Sequence, residues 1–165
     1  MDIGVATRPV HADDGPLFCR LWTRLSRDTV YRRFHAPLHS PPAGALPYLV
    51  DVDHDAREAL VAVVGGEVVG VARYDRPPGD PSTAEVAVLV EDGWQGFGVG
   101  RQLLRELVEL AGRRGVRTLT ASVQADNDRV VGLVRRLLPG STLTPEDGVY
   151  AVVSPLSRVP APAGA

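Results

Sequence analysis

Along the pattern of apolar and polar positions, residues 4–10 are a short β-prone stretch, which favours a strand. Asp13, Asp14 and Pro16 then mark a helix start, and Leu17, Phe18, Leu21, Trp22 and Leu25 recur at three- and four-residue spacing, the pattern of an amphipathic helix. Ser26 is placed to cap a second short helix over 28–34. Residues 35–47 contain four prolines and a glycine and predict a loop or a broken helix near the surface. From Glu58 the period shortens: 59–64 and 67–74 are apolar runs joined by Gly65-Gly66, a tight-hairpin signature. The Pro/Gly-rich stretch 76–82 turns the chain into another strand, 83–90.

Gln95-Gly96-Phe97-Gly98-Val99-Gly100 follows, and Leu103, Leu104, Leu107, Val108 and Ala111 then fall on one helical face. The order is strand, glycine turn, helix. Residues 116–123 read as a fifth strand, parallel to the fourth if that helix is a crossover. Asp126 is placed to cap a helix over 127–138 that Pro139-Gly140 ends, and Asp147-Gly148 precedes a last strand, 149–153. The predicted fold is mixed α/β: one domain over 1–154 with a central, mostly antiparallel sheet flanked by helices, and a Pro/Ala/Gly tail over 155–165 expected to lack order.

Length and composition narrow the function classes. A chain of 165 residues, 44% hydrophobic and 23% charged, can bury one core. Its 18 basic and 20 acidic residues give a net charge of −2, so no chain-wide field draws it to nucleic acid or to an anionic membrane. No apolar run approaches a membrane span, a single cysteine (Cys19) excludes an internal disulfide, and the N-terminus does not read as a signal sequence. A cytoplasmic location is the expectation. His11, His35, His39 and His54 lack metal-ligand spacing, so no metal is expected and they read as surface residues. Every basic residue is arginine. Arg32-Arg33, Arg113-Arg114 and Arg135-Arg136 read as solvated helix faces.

A glycine turn opening a helix aims backbone N–H groups and the positive end of the helix dipole at one spot, which suits a phosphate or pyrophosphate. A Walker loop needs a lysine after its last glycine, and the chain has none. The dinucleotide fingerprint needs a third glycine where Leu103 stands, after a first parallel strand rather than a run of antiparallel ones. A plain packing turn is the remaining alternative to a ligand site.

Gln95, Gly98 and Gly100 match the Gln/Arg-x-x-Gly-x-Gly/Ala motif of the GNAT N-acetyltransferases, and the order of elements resembles that superfamily over residues 5–153. Within it, Leu25-Ser26-Arg27-Asp28-Thr29-Val30-Tyr31-Arg32-Arg33-Phe34, Glu58-Ala59-Leu60-Val61-Ala62 and Gly70-Val71-Ala72-Arg73-Tyr74 resemble the bacterial Pat-type protein lysine acetyltransferases. The resemblance implies a fourth and fifth strand that part to admit acetyl-CoA. The amides of Gly96, Phe97, Gly98, Val99, Gly100 and Arg101 would hold the pyrophosphate, and the backbone of Leu89 and Val90 would pair with the pantetheine arm. Asn127 falls where the family's helix-opening asparagine meets that arm; a helix cap is the equal alternative. The family's tyrosine acid is absent, since Val134 stands seven residues on. Gly132, costly mid-helix, implies either a close cofactor or tight packing.

Transfer to an amine needs a base, because a lysine ammonium has a pKa of about 10.4. Glu85, the only charged residue in 84–90, matches the catalytic glutamate of Pat-type relatives, and burial in a central strand would tune it for that work. An ion pair with Arg73, folded opposite it, is the competing structural role. The expected activity is direct acetyl transfer, preferably to a protein lysine, without a covalent enzyme intermediate at Cys19, which reads as a core residue. A small-molecule amine is the first alternative and a non-catalytic acyl-CoA-binding module the second. A homodimer is compatible with the sequence.

Overall fold

Gly65 and Gly66 adopt φ of 56° and 81°, so the turn between the second and third strands has left-handed geometry at both central residues. That hairpin is the centre of a meander. In the computed structural model, which describes residues 4–157, β1 (Ala6–Pro9), β2 (Arg57–Val64), β3 (Glu67–Asp75) and β4 (Thr83–Val90) pair antiparallel in succession. β5 (Thr118–Gln124) joins β4 in parallel, and the hairpin of β6 (Thr142–Glu146) and β7 (Val149–Pro155) completes a seven-stranded sheet of order β1-β2-β3-β4-β5-β7-β6. The fold class is as expected, with one parallel pair.

Three helices, α1 (Gly15–Arg24), α2 (Arg27–Phe34) and α3 (Ala45–Val50), precede β2; α4 (Val99–Arg113) is the crossover and α5 (Asp128–Leu137) follows β5. α4 turns Leu103, Leu107 and Ala111, each fully buried, onto Leu60, Ala72, Ala84 and Leu119 of one sheet face. Burying each leucine is worth about 1.5–3 kcal/mol. The helix comes this close because β3 carries Gly70, where a Cβ would stand 3.1 Å from Leu103 Cδ1 and 3.3 Å from Val99 Cγ1. Phe18 and Leu21 of α1 and Val50 of α3 cover the opposite face through Ala59, Val61, Val71 and Leu89.

Several details differ from the sequence reading. Ala45–Val50 forms a helix despite Pro47, because a proline in the first turn forfeits no intrahelical bond. β6 shows little alternation because it is an exposed edge strand. β7 extends to Pro155, opposite Thr118, and the Leu156 N–H donates to Arg117 O, so the ordered chain passes the expected 154 boundary. The rest of the predicted tail, 158–165, lies outside the described residues. Cys19 is exposed rather than core: Phe18 and Leu21 carry the buried stripe of α1, and Cys19 falls beside it. No helix of the described chain is long and apolar enough to cross a membrane.

Candidate acyl-CoA site

β4 stays paired with β3 as far as Val90, but its pairing with β5 ends at Glu85 opposite Thr120. Residues 86–90 therefore present an unpaired edge toward β5, and a cleft of about 990 Å³ opens there. Its walls include Leu89 and Val90 of β4, the glycine turn, Ser122 of β5, and Asn127 and Gly132 of α5. An unpaired strand edge is a template for an extended ligand carrying amides.

At the mouth of the cleft, Gly96 and Gly98 have φ of 82° and 84°, which a side chain would strain. Gly98 is the N-cap of α4, and no side chain caps that helix. Its first-turn N–H groups are therefore open to an anion. Arg101 and Arg136 line the cleft without an ion pair among the described residues, whereas Arg32 is engaged by Asp28 at 2.8 Å and Asp126 at 3.4 Å. Val99 contributes only its amide, since its side chain is buried in the core beneath. Phe97 is 60% exposed and stands outside the cleft wall.

Gln95 does more than mark the motif. Its Nε2 donates to Val90 O at 3.0 Å and Thr29 Oγ1 at 3.1 Å, and its Oε1 accepts from Arg129 at 3.3 Å. One amide thus ties the turn to β4, α2 and α5. Asp92 strengthens the tie by accepting from Ser26 N (2.9 Å), Ser26 Oγ (2.6 Å) and Thr29 Oγ1 (3.0 Å). Burial would push the Asp92 carboxyl up, but these donors outweigh it and hold it below its ordinary value. Ser26 was legible as a cap; Asp92 and Thr29 carried no signal, because their pairing spans 63 residues.

The helix-capping role at α5 belongs to Asn127, not Asp126: its Oδ1 accepts from Val130 N at 3.4 Å. Among the described residues the Nδ2 group has no partner, and Asn127 also lines the cleft, so one side chain is compatible with both anticipated roles. A Cβ added at Gly132 would meet nothing within 4 Å, which removes tight packing as its reason. The gap faces the cleft. Gly132→Leu should therefore raise the KM for acetyl-CoA by about tenfold or more while leaving thermal stability unchanged or higher, since glycine disfavours the helix by about 1 kcal/mol. Steady-state kinetics and a melting curve check both halves.

Two expectations about Glu85 are corrected. It is exposed rather than buried, because β4 is covered on that face only near Leu89. It is also not ion-paired with Arg73: the register sets Arg73 opposite Ala87 and Asp75 opposite Glu85, and Arg73 Nε reaches Asp75 at 3.4 Å instead. Val134 packs with Val123, Val131 and Val152, and no tyrosine lines the cleft. The arginine pairs are not all solvated. Arg114 Nη1 meets the buried Glu58 carboxylate at 2.7 Å, and His54, read as a surface histidine, meets the same carboxylate at 2.8 Å. Among the described residues no group of His, Cys, Asp and Glu is placed to hold a metal ion.

A parallel pair that parts beside an uncapped glycine turn defines an acyl-CoA transferase architecture. The profile of the Acetyltransferase (GNAT) family matches residues 21–138, and the chain belongs to that family. The GNAT domain of S. lividans Pat superposes with a TM-score of 0.85 at 30% identity, covering 92% of this chain and 90% of that one. Acetyltransferase Pat of Mycolicibacterium smegmatis is 35% identical over 141 residues, 82% of this chain but 41% of its own length. A Pseudomonas aeruginosa L-methionine sulfoximine/L-methionine sulfone acetyltransferase is 41% identical over 75 residues, 44% of each chain. The chain thus carries a GNAT-family acetyltransferase domain, and it spans less than half the length of the Mycolicibacterium Pat and the Pseudomonas acetyltransferase that it matches.

Proposed function

We propose that the acceptor is a protein lysine side chain and that Glu85 is the general base. The observation that carries the second part is positional: Glu85 occupies the last β4–β5 pair before the strands part, one residue before Val86, where the cleft wall begins on β4. Its side chain shares the α1 face of the sheet with Ala87 and Leu89, opposite the face that α4 covers. Cofactor and amine would thus meet from opposite sides of the sheet. Glu85 does not line the cleft itself, so the proton passes from the ammonium to the carboxylate through one water, and from there to solvent.

The neutral amine then attacks the thioester carbonyl; the C–N bond forms, the C–S bond breaks, the CoA thiolate leaves, and the attacking nitrogen gives up its second proton to water or to the departed thiolate. The cleft offers it no tyrosine, and a thiolate, with a thiol pKa of about 8.5, leaves without obligatory side-chain protonation. The amides of Gly96–Arg101 would bind the pyrophosphate. On β4, Leu89 and Val90 would pair with the pantetheine, although Gln95 already takes one lone pair of the Val90 carbonyl.

A protein acceptor is supported by the likeness to Pat proteins over most of the chain and by Tyr31 and Tyr48, exposed at 44% and 47% on the helices flanking that face. Exposed tyrosines of this kind anchor protein partners. The chain should transfer label from acetyl-labelled acetyl-CoA to lysines of a deacetylase-free bacterial lysate, above a no-enzyme control. Label confined to small molecules would instead establish a metabolite acceptor, and label in neither fraction would leave a binding module.

A further inference from the structure

Beside Glu85, on the face assigned to the acceptor, lies a second cavity of about 140 Å³ with almost wholly apolar walls, among them Phe18, Trp22, Phe34 and Leu49. Arg33, Ala87 and Leu89 line both it and the cofactor cleft, so the two spaces meet at those residues. Two arginines are among the residues that line it, Arg33 from the end of α2 and Arg73 from β3.

Arg73 is 2% exposed, and its Nη1 and Nη2 are buried without a hydrogen-bond partner. Among the described residues its only side-chain polar contact is the long one to Asp75, which is already held by Arg57 at 3.0 Å. The Tyr48 ring covers it, with the Arg73 guanidinium carbon 4.6 Å from the ring centroid. Arg33 has no ion pair or hydrogen bond among the described residues. Burial first, and the neighbouring Arg73 charge second, hold the Arg33 guanidinium below its ordinary value. Asp75 and Glu85 are the anions near these two adjacent, partly desolvated cations, and the Nη1 and Nη2 donors of Arg73 remain unused: a further carboxylate there would relieve the repulsion and satisfy a buried donor fork.

We propose that Arg33 and Arg73 bind a carboxylate of the acceptor, carried next to an apolar side chain that enters the 140 Å³ cavity. Arg33, half-buried, is met first; Arg73 is reached when the half-exposed Tyr48 ring moves aside. On the reading that the acceptor is a protein lysine, on which this rests, the target lysine is flanked by an acidic residue and an apolar one.

The direct test needs no turnover. With the cofactor cleft saturated with CoA, 4-methylpentanoate and 4-methylpentanamide are titrated by calorimetry into the wild type, Arg33→Gln and Arg73→Gln. The carboxylate should bind at least about tenfold more tightly than the amide, and the preference should vanish in Arg33→Gln, which lies at a helix end and carries the test if Arg73→Gln does not fold. Equal binding of the two probes, no binding of either, or a preference that survives in Arg33→Gln overturns the proposal.

Acetylation of Gly-Leu-Lys-Glu, Gly-Leu-Lys-Gln and free leucine then separates the sources. The glutamate peptide should be favoured about tenfold over the glutamine peptide, through KM. Acetylation of leucine alone, with carboxylate binding intact, would keep the subsite and overturn the lysine reading. Equal use of both peptides, with no carboxylate preference in binding, would do the reverse.

Discussion

Glu85→Gln should lower turnover by at least about 100-fold while acetyl-CoA binds as tightly as to the wild type. The substitution keeps the shape and hydrogen-bonding reach of the side chain but removes its capacity to hold a proton. Because Glu85 is exposed and makes no ion pair among the described residues, its charge holds no structural contact there, so stability should stay within about 0.5 kcal/mol. The exposure also predicts how the defect behaves: raising the pH supplies neutral amine from solution, and the deficit should narrow as the lysine pKa of about 10.4 is approached. Turnover of Glu85→Gln within threefold of wild type at neutral pH would remove the residue from the mechanism. A parallel fall in acetyl-CoA affinity would instead point to a role in shaping the end of the cleft.

Arg114→Met should destabilise the fold by about 2–3 kcal/mol, measured as a lower urea midpoint at unchanged m-value. Arg114 Nη1 donates to Glu58 Oε2 at 2.7 Å and to the Tyr74 hydroxyl at 3.1 Å. Glu58 is 1% exposed and Tyr74 fully buried, and the other partners of the Glu58 carboxylate are His54 Nδ1 and the Ala59 N–H. Removing the guanidinium leaves a buried carboxylate short of its only permanently charged partner. Loss of one member of a fully buried pair costs about 3–5 kcal/mol, and the 29% exposure of the Arg114 side chain reduces that figure. The double variant Arg114→Met/Glu58→Gln should recover at least about 1 kcal/mol, because the uncompensated charge goes with it. A single-variant loss below about 0.5 kcal/mol would mean that water already solvates Glu58.

The same network shows where reading along the chain stops. Arg113-Arg114 looks like a pair of solvated cations, and Arg113 is exposed; that its neighbour turns back to meet a carboxylate 56 positions earlier follows only from α4 crossing β2 and β3. Glu85 and Arg73 show the limit at finer scale. Their strands were legible, yet the turn between them sets Asp75 opposite Glu85, and a two-residue difference in register exchanges an ion pair for a free carboxylate. Asp92 and Arg33 belong to the same group, because each acts through partners brought by another element.

Local chemistry was legible wherever it depends on a residue and its near neighbours. Gly65-Gly66 demands a left-handed turn whatever surrounds it, the leucine spacing of α4 demands a buried face, and Gly96 and Gly98 permit the backbone that leaves the helix start uncapped. From these follow the order of elements, the mixed sheet and a turn suited to an anion; the acetyltransferase class came from the resemblance of Gln95, Gly98 and Gly100 to the GNAT motif. Only the tertiary structure decided that β4 and β5 part after Glu85, that Gly132 opens on a cleft, and that two arginines line one apolar cavity. Strand register and the meeting of distant charges are set by the packing of the whole core, and no local pattern encodes them.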